Sequence, residues 1–138
     1  MTHTALCLIL IILMPSLTRC TSHGSATPQD AVTLYLAAVQ QQSSAELIKI
    51  ARNGGASQQG IEKIVSRTLL KYSGLRQANF QISYMPHPVT PNTVYITMRI
   101  EGQAFQDDIV LERYSDSWFW TPKVDPGDRP MQRTTIAQ

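Results

Sequence analysis

The chain has 138 residues, of which 43% are apolar and 16% charged, and 12 basic side chains stand against 10 acidic ones for a net charge of +2. That length holds one domain with a modest core, and the composition excludes disorder over most of it. No run of Lys or Arg occurs, so the electrostatic footprint of a nucleic-acid binder is missing and no nucleic-acid partner is expected.

Residues Ala5 to Met14 read A-L-C-L-I-L-I-I-L-M and are stopped by Pro15. An apolar run of that length matches the core of a signal peptide and is about half of the roughly 20 residues a membrane-spanning helix needs. At its end, Leu17-Thr18-Arg19-Cys20 resembles the lipobox of bacterial lipoproteins, although Arg19 stands where a small residue is usual. The resemblance implies a signal peptide over 1–20, a lipid on Cys20, and a protein held to the membrane of a bacterial cell envelope. Thr21 is not the Asp that retains such proteins at the inner membrane, so the resemblance points to the outer membrane, facing the periplasm. The alternative is cleavage after Gly24-Ser25-Ala26, which leaves a soluble periplasmic protein. Removal of the leader also discards Cys7 and leaves Cys20 without an intramolecular partner. A free thiol or an intermolecular disulfide is then the other reading of Cys20. No metal-ligand spacing and no cofactor motif is present, since only His23 and His87 remain beyond the leader.

The polar, small residues Thr21 to Ala26 predict a flexible tether over 21–26, and the domain begins at 27. Thr27, Pro28 and Asp30 form a helix start, with a capping side chain, a proline at the first helical position and an acid near the positive helix end. The apolar spacing of Ala31, Leu34, Tyr35 and Ala38, widened by Val32, Leu36 and Val39, predicts a helix over 28–42 that ends in the solvated run Gln40-Gln41-Gln42. Ser43 and Glu46 predict a second capping box, with Leu47, Ile50 and Ala51 inward and Asn53-Gly54-Gly55 as the stop. A third helix opens at Ser57, carries Ile61, Ile64, Val65, Thr68, Leu69 and Tyr72 on one face, and ends at Ser73-Gly74.

Beyond Gly74 the apolar period falls from 3.6 to 2. Ala78, Phe80, Ile82 and Tyr84 share one strand face, and Val94, Ile96, Met98 and Ile100 share another. The segment F-Q-D-D-I-V-L-E-R-Y and the short W-F-W stretch complete four strands at hairpin distances, which predicts an antiparallel meander. Helices followed by such a sheet make an α+β fold over 27–124, N-terminal helices packed on a curved four-stranded antiparallel sheet. Past Pro122, closely spaced Pro and Gly predict a flexible tail over 125–138.

This order of elements, together with P-x-D-A-V-x-x-Y-L at Pro28 to Leu36 and the turn into Trp118, resembles the nuclear transport factor 2-like, or cystatin-like, superfold. Within it the pattern is similar to small bacterial lipoproteins with a lumazine-binding-like domain. The resemblance implies a cone with a pocket between sheet and helices. Isomerases, dehydratases, ligand binders and assembly domains all use that shape, so the fold leaves the activity open.

The inward strand positions read as apolar, which gives no catalytic residue and predicts a non-enzymatic domain. His87, the usual type of general base, is flanked by Pro86 and Pro88 and reads as an exposed loop residue. Asp107 and Asp108 are adjacent on a strand and point to opposite faces, so both read as a solvated strand edge. Tyr35, Tyr84 and Tyr95 read as packing residues. Trp118 and Trp120 share one face and Phe119 takes the other, which makes Trp118, Phe119 and Trp120 the candidate binding surface for an envelope protein or a small apolar ligand. The alternatives are an enzyme in which His87, Asp107 or Asp108 converge on a cavity, and a structural component of a secretion or conjugation assembly.

Overall fold

The computed structural model describes residues 23–52 and 54–123. The expected signal peptide over 1–20 with Cys20, the first two residues of the expected tether, Asn53 and the residues from Val124 on lie outside the described residues.

Three helices come first. α1 spans Pro28–Gln40, α2 Ser44–Ile50 and α3 Gln58–Lys71. Each starts on a hydroxyl that accepts from the backbone N–H three residues on: Thr27 from Asp30, Ser43 from Glu46 and Ser57 from Gly60. At α1 the cap is reciprocal, because the Thr27 hydroxyl also donates to Asp30 Oδ2 at 2.8 Å. α1 closes two residues sooner than the apolar spacing predicts. Gln42 takes a left-handed backbone with φ of 55°, which turns the chain toward α2. The Gln run is not merely solvated, since Gln42 Nε2 donates to Val39 O and Leu69 O and so ties the end of α1 to α3. Gln40 Nε2 donates to Ala78 O in the lead into the sheet.

Four strands follow, β1 Phe80–Pro86, β2 Thr93–Ile100, β3 Gln106–Tyr114 and β4 Ser117–Trp120. They pair antiparallel in the order β1-β2-β3-β4, and the sheet is not closed into a barrel. Between β3 and β4 the connection is only Ser115-Asp116, both with positive φ, as a two-residue hairpin that follows the strand twist requires. The fold is therefore α+β, three helices on a four-stranded antiparallel sheet, and it is compatible with a nuclear transport factor 2-like arrangement.

The period-2 pattern sets the buried face. Val94, Ile96 and Met98 of β2, Ile109 and Leu111 of β3 and Trp120 of β4 meet Val32, Tyr35 and Val39 of α1, Leu47 of α2, and Ile61 and Val65 of α3 in one core. Burying a side chain of this size contributes roughly 1.5–3 kcal/mol. The α1 stripe is rotated relative to the expected one. Val32 is buried and Leu34 is about half exposed, because the helix turns its Ala31, Tyr35 and Ala38 ridge to the sheet.

The free edge of β4 is covered by two segments distant in sequence. Ser25 exchanges backbone hydrogen bonds with Trp118 at 2.9 and 2.8 Å. Ala51 bridges to Trp120 in parallel, with Arg52 N–H donating to Trp120 O at 2.8 Å. The described part of the expected tether is thus docked rather than free, since Ser25 is buried and His23 N–H reaches Lys49 O. Gly24 permits this approach. A Cβ there would strike Ser117 Cβ and come within 2.6 Å of Phe119 Cζ.

Candidate functional site

Along β3 the alternation places Asp107 in phase with Ile109 and Leu111, so its carboxylate points to the helices, opposite Met98 of β2. Asp108 points to the other face. The expectation that both form a solvated edge holds for Asp108 and fails for Asp107, whose side chain is only 12% exposed. Tyr35 of α1 donates its hydroxyl to Asp107 Oδ2 at 3.1 Å, and Tyr72, just past α3, donates to the same oxygen at 2.7 Å. Lys71 Nζ meets Oδ1 at 2.5 Å. Three elements thus converge on one carboxylate, and the interior is not lined by hydrocarbon alone.

Both phenols are held in the protonated form by their surroundings. Burial, followed by the nearby Asp107 charge, pushes the Tyr35 hydroxyl far above its ordinary range. Burial also leads for Tyr72, with the charge and hydrogen bonding of Tyr35 and Asp107 adding to it. Both stay protonated and hold their hydrogens on Asp107. Ring packing fixes them there: Tyr35 meets Tyr72 edge-on at 5.9 Å and Trp120 at 5.2 Å, and Phe105 closes on Tyr72 at 5.2 Å.

Because β4 stops at Trp120, the first half of β3 has no neighbour on that side, and a cavity of about 140 Å³ opens against α3. Tyr35, Ile64, Thr68, Asp107, Trp120 and Thr121 form its walls, with Lys123 at the margin. Thr121 N–H donates to Val110 O at 2.9 Å, which holds the segment in place. Its hydroxyl, however, is buried with no hydrogen-bond partner among the described residues. A buried hydroxyl without a partner costs about 1–3 kcal/mol, and because this one is shielded even from a water molecule it is a local cost of the segment and not a contact offered to the cavity. The arrangement is a slot of mixed polarity, with Ile64, Ile109 and Trp120 on its apolar side and Thr68, Asp107, Asp108 and Lys123 on its polar side.

Of the other residues singled out in the sequence, Asp108 and Trp120 also line this cavity and the rest lie apart from it. His87 Nδ1 accepts from the N–H groups of Val89 and Thr90 at 3.1 and 2.9 Å, and its ring lies 5.5 Å from Tyr95. It shapes the β1–β2 loop. Asp108 accepts from Thr97 and Gln106, and these bonds hold its carboxyl below the usual range. Tyr84 and Tyr95 are each 37% exposed, on opposite faces of the sheet, rather than fully packed. Trp118, Phe119 and Trp120 do not form one exposed surface. Trp120 is core, Trp118 is half-buried against that core, and Phe119 lies half-buried beside Gly24 on the opposite face. The exposed large apolar residues instead include Met85, Val89, Tyr84 and Tyr95 around the β1–β2 hairpin. Cys20 lies outside the described residues.

Lys71, Tyr72 and Thr121 were not singled out as site residues. The available signal was the β3 phase, which puts Asp107 on the same face as Ile109 and Leu111 and so demands buried donors from the helices. Among the described residues no group of His, Cys, Asp and Glu could hold a metal ion, and no helix is long and apolar enough to cross a membrane. Comparison with family models, with curated proteins and with solved structures gives no match for this chain.

Proposed function

We propose that the domain is a non-enzymatic ligand-binding module of the bacterial envelope, anchored through a lipid on Cys20, whose ligand enters the cavity between β3, α3 and the segment after β4. The observation that carries this reading is the cavity itself, which sets apolar Ile64, Ile109 and Trp120 beside polar Thr68, Asp107 and Asp108. The ligand class is small and amphipathic, with one hydroxyl or amide group for the polar wall at Thr68 and Asp107 and a short hydrocarbon body for Ile64 and Trp120. The cavity of about 140 Å³ is open to solvent on one side, so it encloses only part of a ligand. An enzymatic reading is less well supported, because Asp107 would first have to give up three donors.

Titration of the protein with acetamide and 2-propanol, followed by NMR, tests the site. Saturable shifts at Ile64 and Trp120 that vanish in Thr68→Leu, which fills the slot and removes a polar wall group, are expected. Shifts that survive in that variant, or that never saturate, refute the reading. For the anchor, mass spectrometry of membrane-extracted protein should show a diacylglyceryl-sized addition on an N-terminal Cys20. An unmodified start at Thr27 would replace the anchored protein with a soluble periplasmic one. A protein partner is the second reading, favoured by Met85 and Val89, which are 63% and 82% exposed on one hairpin.

A further inference from the structure

β1 is the outermost strand on one side of the sheet, and no described residue pairs with its outer edge. Its phase can be read from the ladder. His87 N–H donates to Thr93 O at 3.0 Å, so the odd-numbered backbone groups Gln81, Ser83 and Met85 face β2. The N–H and C=O groups of Phe80, Ile82 and Tyr84 therefore face away from the sheet. Pro86 obeys the same phase, since its missing N–H falls on the open side and breaks no rung. An edge of this kind is usually blunted by charge or a bulge, yet F-Q-I-S-Y-M-P carries no charged residue.

We infer that β1 pairs antiparallel with β1 of a second copy of this chain, about a two-fold axis through Ile82. In that register Phe80 lies opposite Tyr84 of the second copy and Ile82 opposite itself, so every outward N–H and C=O of the three residues is met without calling on Pro86. The pairing is self-complementary in side chains as well. Phe80 meets an aromatic ring across the strands, covering Tyr84, which the helices of its own chain leave 37% exposed. On the other face Gln81 lies opposite Ser83, and no like charges oppose. A hollow of about 380 Å³ bordered by Asn79, Phe80, Ile100 and Glu101 adjoins the place where Met85 of the second copy arrives. The chain's own outlying segments are poorer occupants, because they leave from His23 and Lys123, both on the β4 side of the sheet.

Seven residues give an edge of about 24 Å, a contact small beside the ≈1,600 Å² of a standard interface, so the pairing is weak and covalent trapping is the suitable readout. Gln81 and Ser83 would form a non-hydrogen-bonded cross-strand pair with Cα atoms about 4.5 Å apart, within disulfide range. Full-length chains with two different tags, one carrying Gln81→Cys and the other Ser83→Cys, are co-expressed, oxidised and mapped by mass spectrometry. The 81–83 disulfide between tags should exceed any 81–81 or 83–83 disulfide at least tenfold. Adding Tyr84→Pro, which removes one outward N–H and leaves the β2 ladder intact, should reduce it to background. A dominant 83–83 product refutes the two-fold at Ile82. Absence of the 81–83 product, or a dominant disulfide from Ser83→Cys to Cys20 of the same chain, refutes the second copy as occupant.

Discussion

Replacing Asp107 by Leu should destabilise the domain far more than replacing all three members of its hydrogen-bonded group. In Asp107→Leu the hydroxyls of Tyr35 and Tyr72 lose their acceptor while both residues stay within 1% of full burial. Each stranded hydroxyl costs about 1–3 kcal/mol; Tyr72 keeps a contact of 3.7 Å to Met98 Sδ, and the neighbouring phenols can pair with each other but satisfy only one of the two lost donations. Lys71, 44% exposed, swings into water and its lost ion pair adds under about 1 kcal/mol. The net loss is about 3 kcal/mol, a large part of the 5–15 kcal/mol that holds a domain of this size together. At about 4–8 °C per kcal/mol, the melting temperature falls on the order of 15 °C. In the triple variant Asp107→Leu, Tyr35→Phe, Tyr72→Phe no polar atom is left unpaired, and stability should return to within about 1.5 kcal/mol of the parent. Urea unfolding with an unchanged slope gives both values. If Asp107→Leu costs under about 1 kcal/mol, or the triple variant is no more stable than the single one, the hydroxyls have other partners and the reasoning fails.

Alkaline pH should unfold the domain through the same residues. Folded Tyr35 and Tyr72 have raised pKa values, so their contribution is complete below the unfolded value near pH 10 and is lost as pH rises beyond it. Stability should fall by up to about 2.7 kcal/mol per pH unit above pH 10 and by about half that in Tyr35→Phe, measured by urea unfolding between pH 8 and 11.5. Gly24→Ala should push the N-terminal segment off β4, costing about 1–3 kcal/mol, with loss of hydrogen-exchange protection at the Trp118 amide as the direct readout. In Thr97→Val, the Asp108 carboxyl should titrate at higher pH than in the parent, because its leading hydrogen bond is gone; NMR follows it directly. Leu47→Ala, at a fully buried position where α2 meets the core, should cost about 2–5 kcal/mol by the same unfolding measurement.

The local signals were legible because they are written in neighbours. Thr27, Ser43 and Ser57 each cap a helix with an N–H three residues away, and the change of period after Gly74 marks where helices give way to strands. The faces of β2 follow from alternation alone, and so, in principle, does the inward turn of Asp107. At Trp118, Phe119 and Trp120 alternation says which residues share a face and not what covers it. Residues 24–25 and 51–52 pack on that strand, and no pattern within W-F-W announces them.

By itself the sequence determined the class of fold, the order and direction of its strands, and the separation of Asp107 from Asp108, all consequences of backbone geometry repeating every 3.6 or 2 residues. Tertiary structure alone decided what Asp107 became. Its hydroxyl donors come from Tyr35 and Tyr72, at separations of 72 and 35 residues, and a buried carboxylate persists only where such distant donors arrive together. The same holds for Thr121, whose hydroxyl stands free because β4 ends one residue earlier and α3 crosses beside it.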